Sequence, residues 1–219
     1  MSLVLVQTKA LLFDMDGVLV SSIGSVERCW ARWAVMYGVD PAYALKITHG
    51  RRAIDTVRTL RPDIDPIEGL NAVEDMEVLD VADTKVLPGV RELLAKLPED
   101  RWTIVTSATR RLATARLQAA KLPMPAKIIT GDMVTVGKPD PEPYRRGAQE
   151  LGFLPEECVV VEDAPAGVGA GNAAGSRVLG VIAGYTAEQL QGADWLVNSL
   201  EGLQVTANAD GLELRFEAV

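Results

Sequence analysis

Two aspartates at the end of an apolar segment are the first residues whose spacing could do chemistry. Asp14 and Asp16 lie in the segment Phe-Asp-Met-Asp-Gly, which ends the apolar run at residues 10–13. Residues two apart on an extended chain point the same way, so the two carboxylates are expected to converge. Converging carboxylates repel each other unless a proton or a cation lies between them, and hard oxygen ligands favour Mg²⁺. The pair alone fits a strand that ends in a polar turn equally well.

Two hydroxyl side chains follow a second apolar run. Thr106 and Ser107 come directly after residues 102–105, and a helix is predicted from Thr109. Hydroxyls and backbone N–H groups at a helix start can bind an anion. Thr-Ser at such a place is also an ordinary turn or cap. This segment therefore indicates an anion site only in combination with the other polar segments.

An acidic pair and a lysine complete the set. Glu162 and Asp163 follow the apolar residues 158–161, and burying carboxylates without a cation is costly. Lys138 precedes a helix predicted to start at Asp140 and the proline after it. A single lysine is usually solvated. Together, carboxylates for a metal, hydroxyls for an anion and a lysine for charge indicate phosphoryl transfer.

Short apolar runs predict the strands that position these side chains. The runs cover residues 10–13, 102–105, 127–129, 158–161, 178–182 and 195–197. Stretches with helical spacing separate them, so we predict an α/β fold with a doubly wound, Rossmann-like parallel sheet. Ligands of such sheets bind beyond the carboxyl ends of the strands, where all the acidic and hydroxyl segments fall. Asp210-Gly211 predicts a final β-hairpin, to which we assign no function.

Residues 19–84, called the insertion below, interrupt the strand–helix alternation. Apolar residues recur there at helical spacing in three segments, around residues 23–37, 54–60 and 67–79, and no convincing strand is present. A connection of this length is too long for an ordinary loop. We expect residues 19–84 to form a small helical cap domain and residues 1–18 and 85–219 to form the catalytic core. The chain would return to the core through a hinge at residues 84–89.

Composition narrows the classes of partner. The net charge is −8, from 22 basic and 30 acidic residues, which argues against nucleic acid or an anionic membrane surface. Cys29 and Cys158 have no metal-like spacing and are expected to be reduced. No apolar run approaches the roughly 18 residues of a membrane span. We expect a cytoplasmic protein, with a monomer preferred and a homodimer as the alternative.

The polar segments resemble, in order, the four motifs of the haloacid dehalogenase superfamily. The matching residues are Asp14-x-Asp16, Thr106-Ser107, Lys138, and Glu162-Asp163 with the glycine-rich residues 167–175. The resemblance spans residues 10 to about 198, and the insertion is similar to the small helical cap of that family. The likeness is greatest to sugar and glycerol phosphatases, because residues 48–52 resemble a segment of their caps.

The resemblance implies a magnesium-dependent phosphatase that acts on a small phosphorylated sugar or polyol. Asp14 would be the nucleophile that forms an aspartyl-phosphate. Asp16 would first protonate the leaving group and then activate water, and its backbone carbonyl would also bind Mg²⁺. Asp163 would complete the metal site with Asp14 and Asp16, and Glu162 would support it.

The resemblance also implies how the phosphate is held. Thr106 and Ser107 would bind the transferring oxygens, and Lys138 would neutralise the nucleophile and the phosphate together. This distribution suits phosphoryl transfer, which depends mostly on positioning and charge neutralisation. Gly17 would let the chain leave the first strand for a cap that closes over the site.

Two residues of the insertion are candidates for substrate contact. Arg51 is the better one, because a guanidinium can hold a hydroxyl or phosphate oxygen. The alternative is that Arg51 and Arg52 form a solvated helix start. His49 is the single histidine of the chain, and a structural or exposed role competes with substrate contact.

Several rival activities remain in view. Haloacid dehalogenation is disfavoured because Asp16 supplies the second acid of phosphoryl transfer. Phosphonate hydrolysis would need a cap lysine, and it is also disfavoured because Lys46 is the only lysine in residues 19–84. Similar sugar phosphomutases carry a cap histidine ten residues past the second aspartate, where this chain has Val26. A non-catalytic phospho-acceptor or sensor on the same scaffold is the alternative from another class.

Overall fold

A computed structural model describes residues 2–48 and 50–219, and His49 therefore lies outside the described residues. The strands in chain order are β1 (Ser2–Thr8), β2 (Ala10–Phe13), β3 (Val20–Ser21), β4 (Lys85–Val86), β5 (Trp102–Val105), β6 (Ile128–Ile129), β7 (Cys158–Glu162), β8 (Arg177–Val181), β9 (Trp195–Val197), β10 (Gln204–Asn208) and β11 (Gly211–Ala218). The helices are α1 (Ile23–Met36), α2 (Pro41–Thr48), α3 (Ala53–Leu60), α4 (Pro66–Leu79), α5 (Val90–Leu94), α6 (Arg110–Ala120), α7 (Glu142–Leu151) and α8 (Pro165–Ala174).

The central sheet is parallel and six-stranded in the order β6-β5-β2-β7-β8-β9. β2, β5 and β7 are buried along their whole length, which explains their continuous apolar sequences. Helices α5 and α6 pack on one face, and α7 and α8 pack on the other. The predicted α/β fold with a doubly wound parallel sheet is confirmed, and the predicted strand bounds differ from the observed ones by at most one residue.

A second sheet, antiparallel in the order β1-β11-β10, contains the predicted hairpin. Leu212, Leu214 and Phe216 point from it into the core beside α5 and α6. The sequence did not predict β1, because Leu3 and Leu5 on its outer side are apolar although they are more than half exposed. Apolar residues on both faces of β1 hide the alternation that identifies a half-buried strand.

The described part of the insertion contains α1 to α4 and the short strand β3, whereas the sequence predicted three helices and no strand. Strand β3 pairs with β4, so the outgoing and returning chains run side by side at the expected hinge. The helices share a small core around Trp30, Trp33 and Val57. The sequence did not predict helix α2, because its buried residues are Ala44 and Thr48, which are not strongly apolar. The division into two domains at these points stays a prediction.

The apolar residues of α4 predict which side of the helix is buried, but the structure buries a different side. Ile67 is 52% exposed and Leu79 is 86% exposed, whereas Glu74 and Glu77 are buried. The two glutamates face α6, where arginines form ion pairs with them. The partners on α6 therefore decide which side of α4 is buried, and the helix's own sequence does not show them.

Candidate active site

The parallel register brings the sequence-predicted side chains to one edge of the sheet. Phe13 lies level with Ile104 of β5 and Val161 of β7. Asp14 and Glu162 therefore come to the same height, and Thr106 follows one residue beyond that level on β5. The backbone N–H of Asp14 donates to the Val161 carbonyl at 2.9 Å, and this bond fixes the start of the loop. The side chains open into a cavity of about 470 Å³ between the sheet edge and the insertion. Its lining includes Asp14, Asp16, Gly17, Thr106, Ser107, Glu162 and Asp163 from the core, and Glu27, Lys46, Thr48, Arg51, Glu74 and Glu77 from the insertion.

Lys138 lies beneath Asp14, and its side chain is only 2% exposed. Its Nζ donates to Asp14 Oδ1 at 2.6 Å, to Glu162 Oε1 at 2.7 Å and to the Val105 carbonyl at 3.0 Å. Burial alone would lower the pKa of Lys138, but the two carboxylates raise it above its ordinary value. The lysine therefore stays charged and fixes one oxygen of Asp14, leaving Oδ2 for other contacts.

Glu162 is held from four directions. Oε1 also accepts from the Tyr144 hydroxyl at 2.8 Å, and Oε2 accepts from the backbone N–H groups of Asp163 and Ala164 at 2.9 and 3.1 Å. A Cβ at Gly167 would collide with this carboxylate, so α8 can begin this close only with glycine there. Glu162 thus anchors Lys138 and the start of α8. The sequence did not predict this contact of the Tyr144 hydroxyl.

The acidic residues at the sheet edge suit a hard cation. Carboxylate oxygens of Asp14, Glu162 and Asp163 lie within 4.8 Å of one another. Burial raises the pKa of Asp163 to about 9, with further increases from Glu162 and Asp14. Burial also raises the pKa of Asp14 to about 7, against the opposing effect of Lys138. Burial and the neighbouring carboxylates thus disfavour the charged forms of Asp14 and Asp163, and a divalent cation with oxygen ligands would stabilise those forms. Because Glu162 is already hydrogen-bonded at both oxygens, Asp14 and Asp163 are the better ligands.

Gly17 makes room for Asp163. Its φ is +89°, and a Cβ there would overlap the Asp163 carboxylate. The Gly17 N–H donates to the Val20 carbonyl at 2.8 Å, so the chain turns sharply before it enters the insertion. Any other residue at this position would be strained and would displace a predicted metal ligand.

The carboxylate of Asp16 is bound separately from the acidic cluster. Oδ1 accepts from the Ser22 hydroxyl at 2.7 Å, and Oδ2 accepts from Arg116 Nη1 at 2.8 Å. A metal contact from Asp16 would therefore come from its backbone carbonyl, as the resemblance implies. Sequence reasoning missed Arg116. The available signal was a charged residue four positions after Leu112, on the buried side of α6.

The predicted phosphate-binding hydroxyls lie beside Asp14 at the end of β5. The Thr106 N–H donates to the Ile129 carbonyl at 2.9 Å, and its hydroxyl accepts from the Ala108 N–H at 3.1 Å. The Ser107 hydroxyl lies 3.5 Å from the Gly50 carbonyl of the insertion. The structure thus brings both hydroxyls to the cavity, while their part in phosphate binding stays a prediction.

The neighbouring arginines of the insertion differ completely. Arg51 is exposed at the cavity. Arg52 is buried and donates from Nη1 to the Val134 carbonyl at 2.8 Å and from Nη2 to the Thr135 carbonyl at 3.2 Å. Its Nε donates to Asp55 at 2.7 Å. The alternative in which both arginines are solvated is wrong for Arg52, which fastens the insertion to the core.

Comparisons with known proteins agree with this architecture. The model of the haloacid dehalogenase-like hydrolase family matches residues 8–175. Hexitol phosphatase A of Escherichia coli is 40% identical, over 93% of this chain and 96% of its own. Glycerol-1-phosphate phosphohydrolase 1 of Saccharomyces cerevisiae is 33% identical, over 95% and 90%. A crystal structure of a hydrolase from Pseudomonas syringae superposes with a TM-score of 0.80 at 26% identity, covering 89% of this chain and 95% of that one.

The chain belongs to the haloacid dehalogenase-like hydrolase family. Its predicted likeness to sugar and glycerol phosphatases is confirmed, because relatives with those names match it over most of its length. The predicted enzyme class, a phosphoric monoester hydrolase, agrees with the same names.

Proposed function

We propose that this chain is a Mg²⁺-dependent phosphatase that hydrolyses a small phosphorylated sugar or polyol through an aspartyl-phosphate at Asp14. The observation that carries the proposal is the fixation of Asp14. Lys138 binds one of its oxygens, and Asp14 lines a cavity together with Asp163 and the hydroxyl residues Thr106 and Ser107. A carboxylate fixed in this way is a nucleophile that needs little reorganisation before attack.

The first chemical step transfers the phosphoryl group to the protein. The free oxygen of Asp14 attacks phosphorus, and the bond between phosphorus and the ester oxygen breaks. Asp16, in its protonated form, gives its proton to the departing oxygen. Thr106 and Ser107 would hold the transferring oxygens, and Lys138 would offset the charge of the nucleophile.

The second step releases phosphate. Asp16, now a carboxylate, takes a proton from water as the water oxygen attacks phosphorus. The bond between phosphorus and the Asp14 oxygen breaks, which restores Asp14 and yields inorganic phosphate. Mg²⁺ held by Asp14, Asp163 and the Asp16 carbonyl would supply the positive charge that both steps need.

The substrate class follows from the wall opposite the phosphate site. Glu27, Lys46 and Arg51 bring carboxylate, ammonium and guanidinium groups to the cavity, and such groups can hydrogen-bond several hydroxyls. The hexitol and glycerol phosphatases similar to this chain support a polyol or sugar phosphate. A cytoplasmic setting without nucleic-acid or membrane partners belongs to the same proposal. In the described ranges no helix has the length and apolar character to cross a membrane.

A panel of hexitol, hexose, deoxyhexose and glycerol phosphates, assayed with and without Mg²⁺, tests the proposal. We expect inorganic phosphate as the product and no requirement for a bisphosphate activator. Val26, where similar mutases carry histidine, lines the cavity and cannot transfer a proton. An isomerised sugar phosphate as the main product would reverse the assignment to a mutase. The absence of turnover even with an aryl phosphate would favour the non-catalytic phospho-acceptor.

A further inference from the structure

A buried arginine links the proposed acid–base residue to the insertion. Arg116 lies on the buried side of α6, where its neighbours along the helix are Leu112, Ala113 and Leu117, and its side chain is 5% exposed. A guanidinium in such a place is costly unless its donors are used. One donor goes to Asp16 Oδ2 at 2.8 Å, and another goes to Glu77 Oε1 at 3.0 Å.

The partners of Asp16 fix the direction of its carboxylate. Arg116 binds Oδ2 from the core, and Ser22, at the start of α1, binds Oδ1. With both oxygens held from different sides, the carboxylate cannot rotate without breaking a contact. A displacement of about 1 Å in a reacting group can cost roughly 100-fold in rate, so this fixation bears directly on proton transfer.

Glu77 brings the insertion into the same network. Its carboxylate is 4% exposed and comes from α4, which packs against α6. Arg116 therefore lies between a core aspartate and a glutamate of the insertion, all of them lining one cavity. The orientation of Asp16 consequently depends on where α4 lies.

We infer that Arg116 is a positioning residue that aims the Asp16 carboxylate at the leaving-group oxygen, and that Glu77 holds Arg116 in place from the insertion. The inference rests on the proposed function, because it assigns proton transfer to Asp16. It adds that the acid–base group is aligned by the insertion and not by the core alone.

The chain offers a matched control on the same pair of helices. Arg111 of α6 also bonds across to α4, with Asp75 at 2.5 Å and Glu74 at 3.4 Å. Within residues 2–48 and 50–219, Arg111 makes no hydrogen bond or ion pair with Asp16. The side-chain partners of the Asp16 carboxylate there are Ser22 and Arg116. Arg111→Gln thus weakens the contact between α4 and α6 without altering the partners of Asp16.

The experiment compares two esters whose leaving groups differ in their need for a proton. The values of kcat/KM are measured for glycerol 1-phosphate and for 4-nitrophenyl phosphate. This parameter covers the steps up to transfer to Asp14, in which an alkoxide must be protonated but a nitrophenolate leaves unaided. We expect Arg116→Gln to lower kcat/KM about 10- to 100-fold for the alkyl ester and at most about 3-fold for the aryl ester.

Three further variants sharpen the result. Arg116→Lys keeps the charge but lacks the fork that reaches two carboxylates, so we expect the same selective loss at about 3- to 10-fold. If Arg116→Gln does not fold, this variant decides the outcome. Glu77→Ala should show the selective loss at a similar size, whereas Arg111→Gln should leave the ratio of the two esters unchanged.

Equal losses with both esters, or no loss, in a folded Arg116 variant would overturn the inference. A selective loss of the same size in Arg111→Gln would also overturn it, because any loosening of α4 would then suffice. In both cases, turnover of the esters by the wild-type protein would still support the proposed phosphatase function. Wild-type protein that hydrolyses neither ester would refute the proposed function and this inference with it.

Discussion

The two walls of the cavity are built in opposite ways. On the core wall, Asp14 and Glu162 share a buried lysine, and their backbone neighbours belong to strands buried on both faces. On the wall of the insertion, Glu27, Lys46 and Arg51 are exposed side chains. Within the described residues, no hydrogen bond or ion pair fixes these three.

The difference indicates a division of labour between the walls. The phosphate is the same in every substrate, so a preorganised core wall saves reorganisation in each reaction. The remainder of the substrate varies, and long exposed side chains can adapt to different hydroxyl patterns. Substitutions of Asp14 or Lys138 on the core side should therefore damage the reaction with every substrate, whereas those of Glu27, Lys46 or Arg51 should change the preference among substrates.

The largest effect is expected at the nucleophile. Asp14→Asn should abolish turnover of all phosphate esters, by about 10⁴-fold or more, because the amide cannot form the aspartyl-phosphate. The fold should remain, since Lys138 keeps Glu162 as its partner. Circular dichroism and steady-state assays measure both, with Asp140→Asn outside the cavity as the control. Near-wild-type turnover in the folded variant would refute covalent catalysis at Asp14.

The second prediction concerns the buried lysine. Lys138→Met should lower kcat by about 10²- to 10³-fold for alkyl and aryl esters alike, because Asp14 loses its fixed partner and nearby positive charge. It should also lower the free energy of unfolding by about 3–5 kcal/mol, since Asp14 and Glu162 remain buried without a cation from the protein. Urea unfolding gives the stability.

Lys127→Met, at an exposed position, is the control for Lys138→Met and should change little. Unchanged kinetics in Lys138→Met would show that the core wall does not need this charge and would weaken the contrast between the walls.

A third prediction follows from the raised pKa values of the acidic cluster. Since the pKa of Asp14 is about 7 and that of Asp163 about 9, Mg²⁺ must displace protons from these carboxylates. The Mg²⁺ concentration for half-maximal activity should therefore rise as the pH falls, by about 100- to 1,000-fold between pH 8 and pH 6. Titration calorimetry should detect proton release on binding. A half-maximal concentration independent of pH would contradict this account.

The sequence was informative where local pattern and site coincide. Asp14, Thr106 and Asp163 each directly follow a strand that its continuous apolar residues predict. A parallel sheet then brings these three residues to the same edge. Arg116 and Glu77 gave no such signal. Their pairing depends on how α4 packs against α6, which is a long-range contact between residues 39 apart. A charged residue on a buried helix face indicates that a partner exists but does not identify it.

The same limit applies within residues 48–52. The sequence offers two adjacent arginines without a difference between them, whereas the structure buries one against backbone carbonyls at residues 131–135 and exposes the other. Those carbonyls lie 79 to 83 residues further along the chain, in the loop before Lys138. Local pattern therefore could not assign the roles of Arg51 and Arg52.

The smallest expected effect tests the adaptable wall at Arg51. Arg51→Ala should lower kcat/KM about 3- to 10-fold for a sugar or polyol phosphate, because one hydrogen bond from a charged group to a substrate hydroxyl is lost. An aryl phosphate without hydroxyls should react as before. Arg58→Ala is the matched control, because Arg58 is an exposed arginine of the insertion that pairs with Asp55 and lies on α3. Equal losses with both esters, or none with either, would place Arg51 outside substrate recognition and leave the preference among substrates to Glu27 and Lys46.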